Sequence, residues 1–220
     1  MAYVDFISKI HQATARDYLG RVTETDKAEC AEVALQFGKD YWDGDRKYGY
    51  GGFRYDGRWR PVAEMIVEHY SLPPDARILD GGCGKGFLLY ELTQVLPQAA
   101  VAGIDVSEYG IEHSKPEVKP YLQVGNAVDL SFDDDAFDLV ISINTLHNLY
   151  IDELWKALRE IQRVSRGAAY VTVESYRNER EKVNLLYWQL TCRSFYAVHE
   201  WEWFFEHAGY AGDHSFIFFE

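Results

Sequence analysis

The chain has 220 residues, of which 47% are hydrophobic and 26% are charged, and its formal net charge is −13. These proportions are those of a globular protein, and the length suits one domain with additions. The negative charge argues against a general affinity for nucleic acid, because a surplus of Lys and Arg is needed to neutralise phosphates.

Cysteine usage and hydropathy exclude further classes. The three cysteines, Cys30, Cys83 and Cys192, are scattered and show neither the paired spacing of a metal site nor a disulfide framework. The first 22 residues lack the basic start and apolar run of a signal peptide. No stretch approaches the roughly 20 apolar residues of a membrane span. We therefore expect a cytoplasmic protein without a metal or a membrane partner, and the sequence gives no basis for an oligomeric state.

An unusual glycine-aromatic run, DRKYGYGGFRYDGRW, extends from Asp45 to Trp59. The helical patterns around it cover residues 5–19, 26–42 and 60–72. The run suits neither a helix nor a strand, so it is a disordered linker, a nucleic-acid arm or a lid over a small-molecule site. A disordered linker would contain few large aromatics, and the net charge disfavours the arm. The composition therefore favours a lid.

From residue 76 onward, short apolar runs alternate with helical patterns. The predicted strands cover residues 76–82, 100–106, 121–127, 137–146, 168–175 and 215–220. The predicted helices cover residues 86–97, 110–118, 152–165, 183–190 and 199–210. This alternation implies right-handed crossovers and a parallel sheet with helices on both faces.

The predicted fold class is therefore α/β, with a doubly wound, mostly parallel sheet and an N-terminal helical cap. We expect residues 1–75 to form the cap and lid and residues 76–220 to form the Rossmann-like domain. Residues 176–198 form a long connection within that domain, and we expect them to shape a substrate pocket. In open sheets of this kind, ligands bind beyond the carboxyl ends of the strands.

The stretch ILDGGCGKG, residues 78–86, places an acid at the end of the first predicted strand and a glycine-rich turn after it. A phosphate-binding P-loop needs Ser or Thr after Gly-Lys, and this sequence has none there. A dinucleotide-binding loop has its third glycine one residue later, and Asp80 would repel a pyrophosphate. A ligand with an ammonium and a sulfonium but no phosphate, such as S-adenosylmethionine, suits Asp80 better.

Two further marks follow the next strands. Asp105 ends the second predicted strand, where a carboxylate can accept both hydroxyls of a ribose. Asn126 follows the third strand, and its side chain can both donate to and accept from an adenine, while Ala127 leaves room for the flat ring. Read alone, Asn126 is equally well explained as a turn-forming residue.

Together, Asp80–Gly86, Asp105, Asn126–Ala127 and the segment FDLVISINTLHNL resemble the ordered motifs of class I S-adenosylmethionine-dependent methyltransferases. The resemblance covers roughly residues 75–175, and the EWEWFFEHAGY helix is a further landmark. Two features depart from the family: Asn126 stands where many members have Asp, and one final strand replaces the usual antiparallel pair. The resemblance implies that S-adenosylmethionine is bound by Asp80, Gly81, Gly82, Cys83, Gly84, Gly86, Asp105, Val106, Asn126, Ala127 and Asn144.

Methyl transfer from a sulfonium is a direct displacement, to which positioning contributes much of the rate. A general base is needed only if the acceptor arrives protonated. The candidates at the ends of the fourth and fifth strands are Asn144, His147, Asn148, Glu174 and Tyr176. Of these we single out Tyr176, Asn144 and His147 as catalytic residues. His147 is the obvious base, although a histidine that packs or caps after a strand is the better explanation of this residue read alone. Asn144 lacks a following Pro-Pro-Tyr, which argues against base-modifying nucleic-acid enzymes and favours a small-molecule acceptor.

The resemblance also gives the lid a role. We expect Tyr48, Tyr50 and Trp59 to shield the sulfonium, and Arg58 or Arg60 to pair with a carboxylate of the cofactor or of a substrate. Arg60 is the cofactor contact that we single out. Trp188, in the connection between the fifth strand and the last helix, is expected to wall the substrate pocket.

Two other functions stay open at this level. The dense aromatic lid and the long connection are similar to methyltransferase-like azetidine-2-carboxylate synthases. In these enzymes the cofactor's own amine attacks its γ carbon and methylthioadenosine is released. A non-catalytic module that binds the cofactor is the third alternative, which the intact loop and acid disfavour.

Overall fold

The computed structural model describes residues 1–13, 15–50 and 53–220. Gly51 and Gly52, which belong to the predicted lid, lie outside the described residues. Within these ranges, one sheet holds β1 (Arg77–Gly81), β2 (Ala100–Asp105), β3 (Leu122–Val124), β4 (Phe137–Ile143), β5 (Ser165–Glu174) and β6 (Asp213–Ile217). The strand order is β3-β2-β1-β4-β5-β6 and every pair is parallel. The predicted fold class is confirmed.

The α-helices in the described ranges are α1 (Ser8–Gln12), α2 (Gly20–Thr23), α3 (Lys27–Ala34), α4 (Lys39–Asp43), α5 (Arg60–His69), α6 (Phe87–Val95), α7 (Glu108–Glu112), α8 (Ile151–Val164), α9 (Glu179–Trp188) and α10 (Val198–Ala208). The single helix predicted over residues 26–42 is wrong. The chain breaks between α3 and α4 because Phe37 has a positive φ of 47° and Gly38 is extended. The pattern at residues 5–19 likewise yields only the short α1.

The last helices follow their sequence signals. In α8 the side chains of Leu154, Leu158 and Ile161 are fully buried at helical spacing. The Glu153 side chain accepts a hydrogen bond from the backbone N–H of Tyr150 and caps the first turn. Gly209 ends α10 in the left-handed conformation, as its φ of 77° shows.

The edge strand β6 is parallel to β5, and the N-terminal residues extend the sheet beyond it. The backbone N–H of Val4 donates to the carbonyl of His214 at 2.9 Å, and His214 donates to the carbonyl of Ala2 at 3.0 Å. An exposed strand edge invites pairing with other chains, so this contact protects it. The final strand, predicted at residues 215–220, ends at Ile217.

Helices cover both faces of the sheet. On one face, Phe6, Ile7 and Ile66 share a buried cluster with Ile78 and Leu89. On the other face, the buried residues of α8 and α10 pack on the sheet. Residues before and after position 75 therefore share one hydrophobic core. This shared core fixes the described part of residues 1–75 beside the carboxyl ends of the strands.

Candidate active site

A cavity of about 670 Å³ lies at the carboxyl ends of the strands. Its volume is within the roughly 300–1,000 Å³ of small-molecule sites. Most of the residues proposed from the sequence line it. These are Tyr50, Arg58, Trp59, Asp80, Gly82, Cys83, Gly84, Asp105, Val106, Asn126, Ala127, Asn144, His147 and Trp188.

The turn after β1 needs glycine for two reasons. Gly82, Gly84 and Gly86 all have positive φ angles, of 92°, 54° and 68°. A Cβ on Gly82 would lie 1.9 Å from Oγ1 of Thr145, and one on Gly86 would lie 2.9 Å from the Leu122 side chain. Gly86 and Gly81 are not among the described residues that line the cavity, so their contribution is to the shape of the turn.

Asp80, the acid near the end of β1, lines the cavity and is only 5% exposed. Burial, with a further contribution from Asp105, raises its pKa to about 7. No described side chain makes a hydrogen bond or an ion pair with this carboxylate. A buried carboxylate is costly unless a partner compensates it, so the position suits a cationic ligand group.

Asp105 supports the loop from the end of β2. Its Oδ2 accepts a hydrogen bond from the backbone N–H of Gly84 at 2.8 Å, and its Oδ1 accepts one from Ser107 at 2.8 Å. Burial raises its pKa, and these two backbone donors oppose that rise. Each carboxylate oxygen retains acceptor capacity for a ligand hydroxyl.

Asn126 and Ala127 face the same cavity, as Val106 does. The Asn126 Oδ1 accepts a hydrogen bond from the backbone N–H of Val128 at 3.2 Å. Asn126 therefore stabilises the turn, as its turn-forming interpretation predicts. Val106 is 48% exposed and Ala127 is buried. Both apolar side chains line the cavity near the ends of β2 and β3. The sequence motifs place an adenine ring at this position.

The roof of the cavity begins earlier in the chain than the sequence indicated. Phe37, Tyr41, Trp42, Tyr50 and Phe53 all line the cavity. Tyr41 lies at the centre, with ring centroids 5.1 to 5.9 Å from those of the other four. We call these five residues the aromatic roof. Two of them, Tyr41 and Trp42, belong to the short helix α4, whose sequence gives no sign of a role at the cavity.

Two polar contacts fasten the roof to the loop region. The indole N–H of Trp42 donates to Oγ of Ser107 at 2.7 Å. The Lys85 ammonium contacts both oxygens of Asp43 at 2.8 Å, and the Lys85 side chain is only 6% exposed. Lys85, which belongs to the glycine loop, thus helps to hold α4 and its two roof residues in place.

The far end of the cavity contains a buried polar network. Glu174 is the last residue of β5 and is 7% exposed. Its Oε2 accepts a hydrogen bond from the Gln189 amide and lies 3.6 Å from Nε2 of His147. The Tyr50 hydroxyl donates to the Gln189 carbonyl oxygen at 2.6 Å. We call the part of the cavity lined by Tyr50, His147, Glu174, Trp188 and Arg16 its inner end.

Burial moves the two titratable groups of this network in opposite directions. It raises the pKa of Glu174 to about 8, although Arg16 and the Gln189 amide oppose the rise. It lowers the pKa of His147 to about 3. In the described part of the chain, Nδ1 of His147 has no hydrogen-bond partner. His147 lines the cavity as expected but is a weak base there.

The structure does not bring Arg60 to the cavity. It begins α5 on the outside, where its Nε contacts Glu64 at 2.7 Å and its Nη1 lies 3.9 Å from Glu91. The Arg60 side chain is 43% exposed, whereas Glu91 is a buried residue of α6. Arg58 does line the cavity, and its guanidinium is held by Asp56, with Nε 2.9 Å from Oδ1.

Tyr176 and Tyr48 are also absent from the described lining. Tyr176 lies two residues beyond the end of β5, bridges to Ala197 and packs against the core, with the Lys182 ammonium 5.2 Å from its ring. A continuing strand would place Glu174 and Tyr176 on the same face, but β5 ends at Glu174, so this relation does not extend to Tyr176. Tyr48 packs beside the buried Cys30 and Ala34.

Sequence reasoning named Glu174 as a candidate but preferred its neighbours, and it missed Trp42, Asp43 and Gln189. A Glu at the end of an apolar strand was the available signal for Glu174. No sequence pattern identifies Gln189 or Trp42, because their roles depend on contacts with residues that are distant in the chain. Within the described ranges, no group of three potential metal ligands occurs and no helix is long and apolar enough to cross a membrane.

Residues 79–173 match the family model described as a methyltransferase domain. A demethylmenaquinone methyltransferase from Symbiobacterium thermophilum is 34% identical over 128 residues, which are 54% of this chain and 50% of that protein. An Arabidopsis thaliana tRNA (carboxymethyluridine(34)-5-O)-methyltransferase is 32% identical over 130 residues, 59% of this chain and 30% of that protein. This chain spans about half the length of the demethylmenaquinone methyltransferases it matches.

Solved structures support the fold. The YcgJ protein from Bacillus subtilis superposes with a TM-score of 0.56 at 21% identity, over 66% of each chain. A complex of the Haloferax volcanii Trm112 methyltransferase activator and a putative methyltransferase contains a chain that superposes with a TM-score of 0.53 at 22% identity. The match covers 70% of this chain and 73% of that one. At these identities the likeness concerns the fold alone.

Proposed function

We propose that the chain is a class I S-adenosylmethionine-dependent methyltransferase that methylates a small-molecule acceptor, as the methyltransferase domain matched by residues 79–173 and the fold support. The observation that carries this proposal is the convergence of Asp80, the glycine turn, Asp105 and Asn126 on one cavity. That cavity continues past the cofactor motifs to an inner end with polar groups of its own.

The residues present fit S-adenosylmethionine. Asp80 is a buried carboxylate that needs a cationic partner, and the ligand's ammonium and sulfonium supply positive charge. Asp105 offers acceptor oxygens suited to ribose hydroxyls, and Val106 and Ala127 offer apolar contact to an adenine. When bound, the sulfonium supplies an activated methyl group.

The chain's own contribution is mainly positional. Asp80 and the backbone of the glycine turn would fix one end of the ligand, and the aromatic roof would exclude water from the reacting atoms. Aromatic faces also favour a nearby cation by cation–π attraction. Holding two reactants in line converts a bimolecular step into an effectively unimolecular one.

Several features favour a small acceptor over a nucleic acid. The net charge of −13 disfavours binding to a phosphate backbone. Asn144 is followed by Thr145 and Leu146, not by a Pro-Pro-Tyr sequence. The inner end is closed by side chains that are almost fully buried, including His147 and Trp188. The tRNA-modifying relative makes tRNA an acceptor that the assay must include.

The test has two stages. Calorimetry with S-adenosylmethionine should show saturable binding to the wild-type protein, and the absence of binding would contradict the proposal. Mass analysis of the nucleoside products, with and without candidate small molecules and tRNA, follows. S-adenosylhomocysteine formed only with a small acceptor is the expected result. Methylthioadenosine formed without any acceptor would instead indicate attack at the γ carbon.

A further inference from the structure

Glu174 has the geometry of a group that acts on a ligand. One oxygen, Oε2, is held by the Gln189 amide, and Gln189 is in turn held by the Tyr50 hydroxyl at 2.6 Å. The other oxygen, Oε1, accepts no hydrogen bond from a described residue, although Glu174 lines the cavity. Gln189 thus fixes the orientation of the carboxyl group, and Oε1 is left available for a ligand at the inner end.

A purely structural role explains these contacts poorly. A buried carboxylate is costly unless charged partners or several donors compensate it. His147 lies within ion-pair distance, at 3.6 Å, but it is neutral because burial lowers its pKa to about 3. Arg16 lowers the pKa of Glu174, yet burial outweighs this effect and holds the pKa at about 8. A ligand that donates a proton or a hydrogen bond to Oε1 would complete the site.

The surroundings indicate the kind of ligand. The rings of Tyr50 and Trp188 have centroids 6.3 Å apart at an interplanar angle of 37°, and Phe219 lies on the same cavity wall. The Arg16 guanidinium lies over the rings of Trp188 and Phe219, at 5.6 and 5.4 Å from their centroids, so a flat aromatic ring would meet these walls through edge contacts. Burial raises the pKa of Glu174 to about 8, which is nearer than an ordinary carboxyl value to the value of about 10 for a phenol.

We propose that the inner end of the cavity binds a small aromatic acceptor with a phenolic hydroxyl, and that Glu174 is the base that takes its proton. This inference rests on the proposed function. The hydroxyl oxygen forms a bond to the methyl carbon of S-adenosylmethionine. The bond from that carbon to sulfur breaks and leaves its electron pair on sulfur. The proton of the hydroxyl passes to Oε1 of Glu174.

The pH dependence of the rate should report this residue. The titratable or charged groups around Glu174 are Arg16, Tyr41, Tyr50, His147 and Cys192. Burial raises the pKa values of Tyr41, Tyr50 and Cys192, and it lowers that of His147 to about 3. Glu174 is therefore the group expected to titrate near pH 8, and the rate should rise with pH as its carboxylate forms.

The experiment compares wild type, Glu174→Gln and Glu181→Gln. Glu181 is a matched control because it is also a buried acid, 5% exposed, but pairs with Arg177 outside the cavity. Transfer of labelled methyl to 4-methylphenol, catechol and 4-hydroxybenzoate is measured beside 4-methylaniline, with S-adenosylmethionine binding followed in parallel. We expect Glu174→Gln to lower transfer to phenols by about 100-fold, the lower range for a general base, with unchanged cofactor affinity.

Each outcome decides one question. At saturating S-adenosylmethionine, a wild-type rate that rises through about pH 8, with no inflection near pH 8 in Glu174→Gln, supports the inference, as does an unchanged Glu181→Gln. Near-wild-type transfer by Glu174→Gln overturns the role of the residue. Cofactor binding without transfer to any of the phenols, or transfer to the aniline alone, overturns the acceptor class. Failure to bind S-adenosylmethionine at all would instead overturn the proposed function.

Discussion

The indole of Trp42 lies so close to Gly84 that a Cβ on this glycine would be 2.7 Å from the ring atom Cη2. The two residues are far apart in sequence, and their contact places α4 directly over the glycine turn after β1. A side chain on Gly84 would therefore displace the roof. This contact explains why a helix of five residues, Lys39–Asp43, is fixed in place without a large apolar face of its own.

Gly84→Ala tests this contact. We expect at least a tenfold loss of S-adenosylmethionine affinity, because Trp42 must move and because the φ of 54° strains a non-glycine residue by about 1–2 kcal/mol. Calorimetry gives the affinity and urea unfolding gives the stability. Gly209→Ala is the matched control, since Gly209 has a φ of 77° but no atom lies within 4 Å of the position that a Cβ would take there. Equal affinity losses in the two variants would contradict the role of the Trp42 contact.

Asp80 should make cofactor binding depend on pH. Its pKa of about 7, raised by burial and by Asp105, means that the carboxylate forms only as the pH rises through neutrality. A cationic ligand needs that carboxylate, so we expect affinity to increase roughly tenfold between pH 6 and 8. Calorimetry at several pH values measures it. Asp80→Asn should bind at least about tenfold more weakly and lose this dependence; a flat wild-type profile would refute the assignment.

The Lys85–Asp43 pair should stabilise the closed roof. Asp43→Asn leaves the nearly buried Lys85 ammonium without its charged partner, and we expect a loss of about 1–3 kcal/mol in the free energy of unfolding. Urea denaturation measures this loss. Asp152→Asn removes the exposed pair with Lys156 and should change stability by less than about 0.5 kcal/mol. Similar small effects in both variants would show that the roof does not depend on the pair.

Tyr50→Phe should loosen the connection that holds Glu174. The hydroxyl contacts Gln189 at 2.6 Å and accepts from the backbone N–H groups of Leu190 and Thr191 at 2.9 and 3.0 Å. Its loss leaves buried donors unsatisfied, which costs about 1–3 kcal/mol. Faster hydrogen exchange at Leu190 and Thr191 is the specific sign. Tyr48→Phe, outside the cavity, should leave that exchange unchanged.

Arg60→Ala should leave S-adenosylmethionine affinity within about twofold, since Arg60 does not line the cavity and its charge is engaged by Glu64 of α5 and Glu91 of α6. This reverses the expectation from sequence. Arg58→Ala is the informative partner, because Arg58 lines the cavity. We expect weaker binding in that variant. A loss of affinity in Arg60→Ala alone would restore Arg60 as a ligand contact.

Much of the Rossmann-like domain could be predicted because its signals are local. An apolar run with glycines at its end identifies β1 and the turn, and the regular burial of Leu154, Leu158 and Ile161 identifies α8. The N-terminal segment was predicted less well. Its helices are short, and a break such as that at Phe37 depends on where the following α4 must pack.

Spacing along the chain and the alignment of adjacent parallel strand ends were enough to predict that Asp80, Gly82, Gly84 and Asp105 meet at one cavity. The aromatic roof and the inner end depend instead on tertiary packing. Trp42 meets Gly84, and Tyr50 holds Gln189 against Glu174, through contacts between distant segments that no periodicity encodes. Burial, which sets the pKa of Glu174, likewise exists only once those segments have packed together.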